Sequence, residues 1–451
     1  MDFKNKKILV VGMAKSGISA ATLLKKLGAE VTLQDSKQEE KLGQQCEQLR
    51  KEGFSLFLGK NPDDIITDFD GVVLSPGVPT DLPFIEEAKK AGIPVLGEIE
   101  LAFLFCKAPI IGVTGTNGKT TTTTLIGEIT KQYKNTYVVG NIGAPFADIT
   151  LETKEEDIVV AELSSFQLET IHQFVPKVSL VLNITPDHLN RHHTLENYIA
   201  AKERIFENQT AEDYCVLNYN DTATRAMAQK TNAKVIFFSL GGQIKDGVYS
   251  DENSIYINTL SLNEKVIDID ELNILGDHNV ENAMAAIAAS VSVGVPLDTV
   301  REVLRNFKAV EHRIEFVKEV NGVKYYNDSK GTNPDASIKA VLAMKSPICI
   351  IAGGYDKGSE FDEWISYFKG RVKFTATIGA VADKIEASLE KAGITAYKRA
   401  ETFEQAIDLC AENAEKGDCV LLSPACASWD MFDSYEQRGK LFKDYVNRMN
   451  G

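Results

Sequence analysis

The sequence predicts an α/β protein built in three segments, 1–97, 98–309 and 310–451. Three observations lead there. Short apolar runs (KKILVVG, PIIGV, DIVVAE, KVSLVLNI, PICIIAGG) read as buried strands, and most stop at a glycine or an acidic residue. Stretches with apolar residues at helical spacing follow several of them, as in ISAATLLKKLG and TTTTLIGEITKQY. At 451 residues, finally, the chain exceeds what one core can hold.

Composition narrows the function. Hydrophobic content of 44% and charged content of 25% are ordinary for a soluble globular protein. No apolar run reaches the roughly 18 residues of a membrane span, and MDFKNKKILVVG is too short for a signal peptide, so a cytoplasmic protein is expected. The seven cysteines are scattered with no C-x-x-C, which suits a reducing compartment and argues against a disulfide framework or zinc site. A net charge of −15 with no basic stretch argues against a nucleic-acid partner. An anionic substrate must then be held locally, by Lys, Arg, helix termini or a metal.

In residues 1–97, KKILVVG runs into Gly12-Met13-Ala14-Lys15-Ser16-Gly17 and a helical stretch, and a second strand, EVTLQ, ends at Asp35. This resembles the Rossmann-like βαβ fingerprint, in which an acidic residue about 20 positions on meets a ribose hydroxyl. Ala14 stands where the middle glycine would be, and one half-site suits one nucleoside diphosphate better than a dinucleotide. FDGVVLSPGVP gives another strand, ending in Ser75-Pro76-Gly77 at the sheet edge where ligands collect. A purely structural βαβ unit is the alternative.

Residues 98–309 carry the organising stretch, GVTGTNGKTTTT (Gly112–Thr123). Strand, glycine-bearing turn with a lysine, then helix is the arrangement that wraps phosphate. Gly115, Thr116, Asn117, Gly118, Lys119, Thr120 and Thr121 form the candidate ATP loop: amides and the helix N-terminus face the anion, Lys119 adds charge, and the Thr120 hydroxyl can ligate Mg²⁺. The spacing departs from the usual P-loop, since the residue five before Gly118 is Val113 rather than glycine. DIVVAE stops at Glu162, from which a carboxylate can reach that Mg²⁺. TYVVGNIG places Asn141 after a strand, and TPDHLNRHH follows KVSLVLNI. Ligands gather at the carboxyl ends of parallel strands, so Glu162, Asp187 and His188 are expected to converge on the loop. NYIAAKERIFENQ reads as a helix presenting Lys202 and Arg204, by itself an ordinary solvated face. After residue 245 polar and apolar residues alternate, as in antiparallel hairpins, and GDHNVENAMAAIAAS places Asn279 and Asn282 near a helix start.

Residues 310–451 return to α/β. IEFVKEVNGVKYYND reads as a hairpin turning at Asn321-Gly322. His312-Arg313 precede it and SKGTNP follows; PICIIAGGYDKGSEF brings Asp356 and Lys357 into a loop.

GTNGKTTT, AELSSFQLE, the DH after a strand, the AAK helix, GDHNVENA, EHR and NDSKGTNP together resemble the Mur ligase family, ATP-dependent amide-forming ligases of peptidoglycan precursor synthesis. The motifs span essentially the whole chain. AELSSFQLE, NDSKGTNP and LLSPACASWDMFDSYEQRG are most similar to the branch that adds D-glutamate to UDP-N-acetylmuramoyl-L-alanine. The resemblance implies a Rossmann-like first domain that binds the uridine substrate (Lys15, Ser16, Asp35, Ser36, Ser75, Asn141), then a P-loop ATPase-like central domain. It implies a Rossmann-like third domain that binds the amino acid (Lys330, Thr332, Lys357, Ser428, Tyr435). Asn279 and Arg313 would meet ATP, and Lys119, Glu162, His188 and Lys202 would be catalytic. Two Mg²⁺ sites are implied, on Thr120, Glu162, His188 and a carbamylated Lys202. A monomer is expected. Where the family often has D-H-x-D-x-H, this chain has Asn190, which supplies no charge and is not expected to bind metal. Rival readings are a folylpolyglutamate-type ligase, an NAD-dependent oxidoreductase built on residues 1–97, and an inactive scaffold binding cell-wall precursors.

Overall fold

The computed structural model describes residues 2–259, 262–308 and 311–449, so the expected boundary between 309 and 310 lies outside the described residues. Among the described residues the strands form three sheets. The first holds β1 (Lys7–Val11), β2 (Glu30–Asp35), β3 (Ser55–Leu58), β4 (Gly71–Leu74) and β5 (Val95–Gly97), all parallel, in the order β3-β2-β1-β4-β5. The order reverses between β1 and β4, and that crevice is where such sheets take their ligands. Ile8–Val11 are buried because helices cover both faces of the sheet. At Gly17 a Cβ would come within 1.9 Å of the Gly12 carbonyl, so only glycine lets the following helix start this close to the strand.

The second sheet contains β6 (Ile110–Thr114), β7 (Thr136–Gly140), β8 (Ile158–Glu162), β9 (Val178–Val181), β10 (Tyr214–Asn218), β11 (Lys234–Leu240), β12 (Gly247–Ser250), β13 (Ser254–Asn258) and β14 (Asn263–Asp268). Its order is β14-β13-β12-β11-β10-β9-β6-β8-β7. β6 lies inside the parallel portion, paired with β8 and β9. The alternating text after residue 245 becomes the antiparallel strands β12–β14, as expected.

The third sheet has β15 (Glu315–Val320), β16 (Val323–Asn327), β17 (Ile348–Gly353), β18 (Val372–Ile378), β19 (Tyr397–Arg399) and β20 (Cys419–Leu422), in the order β15-β16-β20-β17-β18-β19. β15 and β16 form the expected hairpin, with Asn321 (φ 53°) and Gly322 (φ 80°) both left-handed as a two-residue turn requires. Alternate residues of β17 serve opposite cores: Ile348 and Ile350 pack with Trp364, while Cys349 and Ile351 pack with Phe442.

The described chain divides into two compact units, Met1–Asp268 with Asn282–Val303, and Ile269–Glu281 with Leu304–Gly451. The first two sheets therefore share a unit. Helix Glu98–Phe103, directly after β5, supplies Ile99, Leu101 and Ala102 to a core that also holds Phe146, Leu168 and Phe174. Among the described residues no helix is long and apolar enough to cross a membrane.

Candidate active site

In the first unit, fully buried β6 delivers the chain to the turn Gly115–Gly118, and helix Lys119–Lys131 starts immediately. Gly118 is left-handed (φ 86°), and a Cβ there would sit 2.3 Å from Asn282 Oδ1. It contributes no side-chain cap, so the positive end of the helix is presented to the turn. Asn183, just past β9, braces this turn. Its Oδ1 accepts the Asn117 N–H (2.8 Å), its Nδ2 donates to the Asn117 carbonyl (3.0 Å), and its own carbonyl accepts the Thr116 N–H (2.9 Å). Thr116 Oγ1 accepts from the Thr185 N–H (3.0 Å) and shares a 3.1 Å hydrogen bond with the Tyr198 hydroxyl. The Asn117 backbone N–H is thus committed to Asn183.

Two lysines meet at one carbonyl. Lys119 Nζ donates to Gly115 O (2.9 Å) and Thr116 O (2.8 Å), while Lys202 Nζ donates to the same Gly115 O (2.8 Å). Helix Leu195–Glu203 carries Lys202 inward, 1% exposed, with its nitrogen 4.6 Å from the Tyr198 ring centroid. The ordinary solvated-face reading of that helix is therefore wrong at this residue. Burial, and after it the Lys119 charge, holds the Lys202 amine well below the usual lysine range, and Asp187 and Glu162 oppose the shift. At an effective dielectric near 20, two unit charges about 5 Å apart repel by roughly 3 kcal/mol.

Glu162 ends β8 buried. Its Oε1 accepts from Asn141 Nδ2 (2.9 Å), whereas Oε2 is buried with no hydrogen-bond partner. A desolvated carboxylate oxygen of this kind is costly unless a cation or donor meets it, so the residues fit a divalent ion beside the phosphate loop. The charges of Lys119, Asp187 and Glu162 all bear on the Lys202 amine. His188 is exposed and left-handed (φ 53°), with its ring 4.9 Å from Phe166 and its Nε2 3.6 Å from Asp187. His192, by contrast, is locked into the core by Ser165 (2.9 Å), and burial pushes its pKa down.

At the switch point of the first sheet, Lys15 and Ser16 open helix Lys15–Lys26. Asp35 is committed to backbone: Oδ2 accepts from Met13 N–H (3.1 Å) and Oδ1 from Lys37 N–H (3.0 Å), with exposed Ser36 between. Ser75 Oγ donates to the Gly12 carbonyl (2.8 Å). Lys15 Nζ reaches Gly143 O (3.2 Å), which brings this turn to the loop that carries Asn141.

In the second unit, Lys330 and Thr332 follow β16, Lys357 follows β17 and Ser428 follows β20, three adjacent parallel strands. Arg438, fully buried on helix Tyr435–Arg448, ties two of these loops together. It donates to Ser329 Oγ (2.9 Å), Ser329 O (2.8 Å) and Cys426 O (3.2 Å). Lys330 Nζ lies 5.7 Å from the Tyr435 ring. Asn279 Nδ2 donates to Leu275 O (2.8 Å), and Arg313 Nε is buried without a hydrogen-bond partner. Sequence reasoning missed Asn183, Tyr198 and Arg438. Asn183 carried a usable signal, its place at the end of a strand expected beside the loop; Arg438 looked like any charge on an amphipathic helix.

Three family descriptions match in chain order: a Mur ligase MurD-like N-terminal domain over residues 6–97, the Mur ligase middle domain over 113–290 and the Mur ligase glutamate ligase domain over 312–426. The chain is 50% identical over 452 residues to the UDP-N-acetylmuramoylalanine–D-glutamate ligase of Clostridioides difficile, covering 100% of both. It is 48% identical over 460 residues to the protein of that name from Lachnoclostridium phytofermentans, covering 100% of this chain and 99% of the relative. Its fold is similar to that of UDP-N-acetylmuramate-alanine ligase MurC from Thermotoga maritima, with a TM-score of 0.61 at 22% identity, covering 98% and 99% of the two chains.

Proposed function

The chain belongs to the Mur ligase family, and from that premise we propose that it joins D-glutamate to UDP-N-acetylmuramoyl-L-alanine with cleavage of ATP. The observation that carries the reading is the turn after β6: Lys119 and Lys202 meet at the Gly115 carbonyl, the Lys202 amine is pressed toward neutrality, and Glu162 is buried with one oxygen unpartnered. Residues 1–97 bind the uridine nucleotide, 98–309 bind ATP, and 310–451 bind the amino acid. The enzyme works as a cytoplasmic monomer.

The turn and the helix N-terminus hold ATP, and Lys119 exchanges its loop carbonyls for β/γ-phosphate oxygens. Asn279 and Arg313 hold the rest of the nucleotide. The γ-phosphoryl passes to the substrate carboxylate and ADP leaves, giving an acyl phosphate. The amine of D-glutamate, with its carboxylates on Lys330, Thr332, Lys357 and Ser428 and beside Tyr435, attacks the carbonyl carbon. A tetrahedral oxyanion forms, phosphate departs with the former carboxylate oxygen, and the nitrogen loses its proton. Phosphoryl transfer asks mainly for positioning and charge neutralisation, and braced backbone at the turn supplies the first. Mg²⁺ would be held by Thr120 and Glu162, with a second site at His188 and Lys202; bound there, it neutralises phosphate charge.

Lys202 serves as a carbamate. Its neutral amine adds CO₂ and releases a proton, which replaces a repelled cation by an anion next to Lys119. Carbon-13-labelled CO₂ should give a carbamate resonance that is absent from Lys202→Ala, and an identical spectrum for both proteins would overturn this step. The overall activity is tested by phosphate release from ATP with UDP-N-acetylmuramoyl-L-alanine across a panel of amino acids. D-glutamate alone should support turnover. Release with another amino acid in preference, or none with D-glutamate, would refute the assignment.

A further inference from the structure

Trp429 is the largest apolar side chain left in the open, 62% exposed, and core packing does not explain it. It sits directly after Ser428, on the loop following β20. That loop is zipped to the one following β17: the Tyr355 N–H donates to Ala427 O (2.9 Å), and the Tyr355 and Trp429 ring centroids are 5.6 Å apart. Above the indole, 5.0 Å from its centroid, lies Lys357 Nζ. The acidic neighbour that would ordinarily take that ammonium is engaged elsewhere. Asp356 accepts the Gly358 N–H (2.7 Å) and pairs with Lys384 (3.3 Å).

We propose that Trp429 is a positioning residue for the amino-acid substrate: its indole face holds the Lys357 ammonium in place, ready for a substrate carboxylate. This rests on the reading that Lys357 takes part in amino-acid binding. The physics differs from that of a salt bridge. A carboxylate partner would neutralise the lysine and compete with the substrate for its protons. A ring face attracts the cation through its quadrupole and leaves the N–H groups on the far side available. The four-carbon stem, which otherwise loses rotamer freedom when the substrate binds, is ordered beforehand. Lys357 and Trp429 lie on different loops, so the contact also fixes the span between Lys357 and Ser428.

The test uses the full-length enzyme and compares Trp429→Phe, Trp429→Leu and Trp429→Ala. An exposed side chain is being changed, so melting temperatures should match the wild type. Leucine keeps apolar bulk without a π face. It and alanine should raise KM for D-glutamate about two- to fivefold, the factor expected of an exposed cation–π contact, with kcat and KM for ATP unchanged. Phenylalanine should recover part of the loss. In the wild type, D-glutamate added to the enzyme with its other substrates should change indole emission; Trp364 is buried in the core and serves as the internal reference. The change should be absent in Trp429→Phe. Equal KM values for the leucine and phenylalanine variants, or wild-type KM in all three, would overturn the proposal. Wild-type enzyme that turns over with D-glutamate while Lys357→Ala leaves KM unmoved would instead refute the role of Lys357, and the proposal with it.

Discussion

Removing the Asn183 side chain should damage ATP use while sparing the fold. In Asn183→Ala the Asn117 peptide unit loses two hydrogen bonds, at 2.8 and 3.0 Å, one to its N–H and one to its carbonyl. Each is worth about 0.5–1.5 kcal/mol net, so the turn forfeits roughly 1–3 kcal/mol of the order that presets it for phosphate. The Asn183 backbone contact to Thr116 survives, and so does Gly118, so the loop loosens rather than collapses. If that order is needed when phosphate binds, kcat/KM for ATP falls about 5- to 150-fold, at 1.4 kcal/mol per tenfold. Asn183→Asp should be worse than alanine, because it keeps the acceptor but sets a negative charge beside the bound anion. The assay is steady-state phosphate release with ATP varied and the other substrates saturating, alongside a melting curve. Unchanged kcat/KM for ATP, or aspartate outperforming alanine, would refute the reasoning that the brace presets the turn.

Lys119→Ala should lose measurable turnover with a normal melting temperature, because before phosphate arrives its ammonium donates to carbonyls of its own loop; near-normal phosphate release would contradict this. Asp35→Ala should raise KM for the uridine substrate more than for ATP, since it frees the Met13 N–H at the first switch point; equal effects would count against a separate uridine site. Glu98 should make stability fall with rising pH. Burial pushes its pKa up to about 7, one oxygen accepting from Ala147 N–H and the other unpartnered. A raised acid favours the folded state fully below its unfolded value near 4.5, and that contribution is lost as pH climbs through about 7. The span is on the order of 3 kcal/mol. Glu98→Gln, which does not titrate, should therefore gain melting temperature relative to wild type between pH 5 and pH 8; a constant difference would show that Glu98 is not the group responsible.

The features legible in the sequence were those set by local chemistry. Apolar runs gave the strands, Asn321-Gly322 gave the hairpin, and GTNGKT gave the phosphate turn, since period and turn residues are written within a few positions of each other. The strand-end rule pointed to Glu162 and Asp187, whose charges, like that of Lys119, bear on the Lys202 amine. What escaped depends on which face a residue presents after packing. Lys202 looks like one charge among several on its helix, and nothing in its spacing distinguishes it from Arg204. Only the tertiary fold turns it onto the Gly115 carbonyl. Asn141 was expected at the uridine substrate, yet its amide is tied to Glu162, a pairing between two strand ends that sequence distance conceals. The packing of the first two sheets into one unit was equally hidden, because nothing in the sequence around Ile99 names its core partners, Phe146 among them.

The central claim is that a carboxylate is activated by phosphoryl transfer and then captured by an amine, and the most direct measurement follows the carboxylate oxygen. UDP-N-acetylmuramoyl-L-alanine labelled with oxygen-18 in its alanyl carboxylate is turned over with ATP and D-glutamate, and the released phosphate is weighed by mass spectrometry. Transfer through an acyl phosphate leaves one labelled oxygen in each phosphate formed. Phosphate free of label, at normal amide yield, would contradict the account.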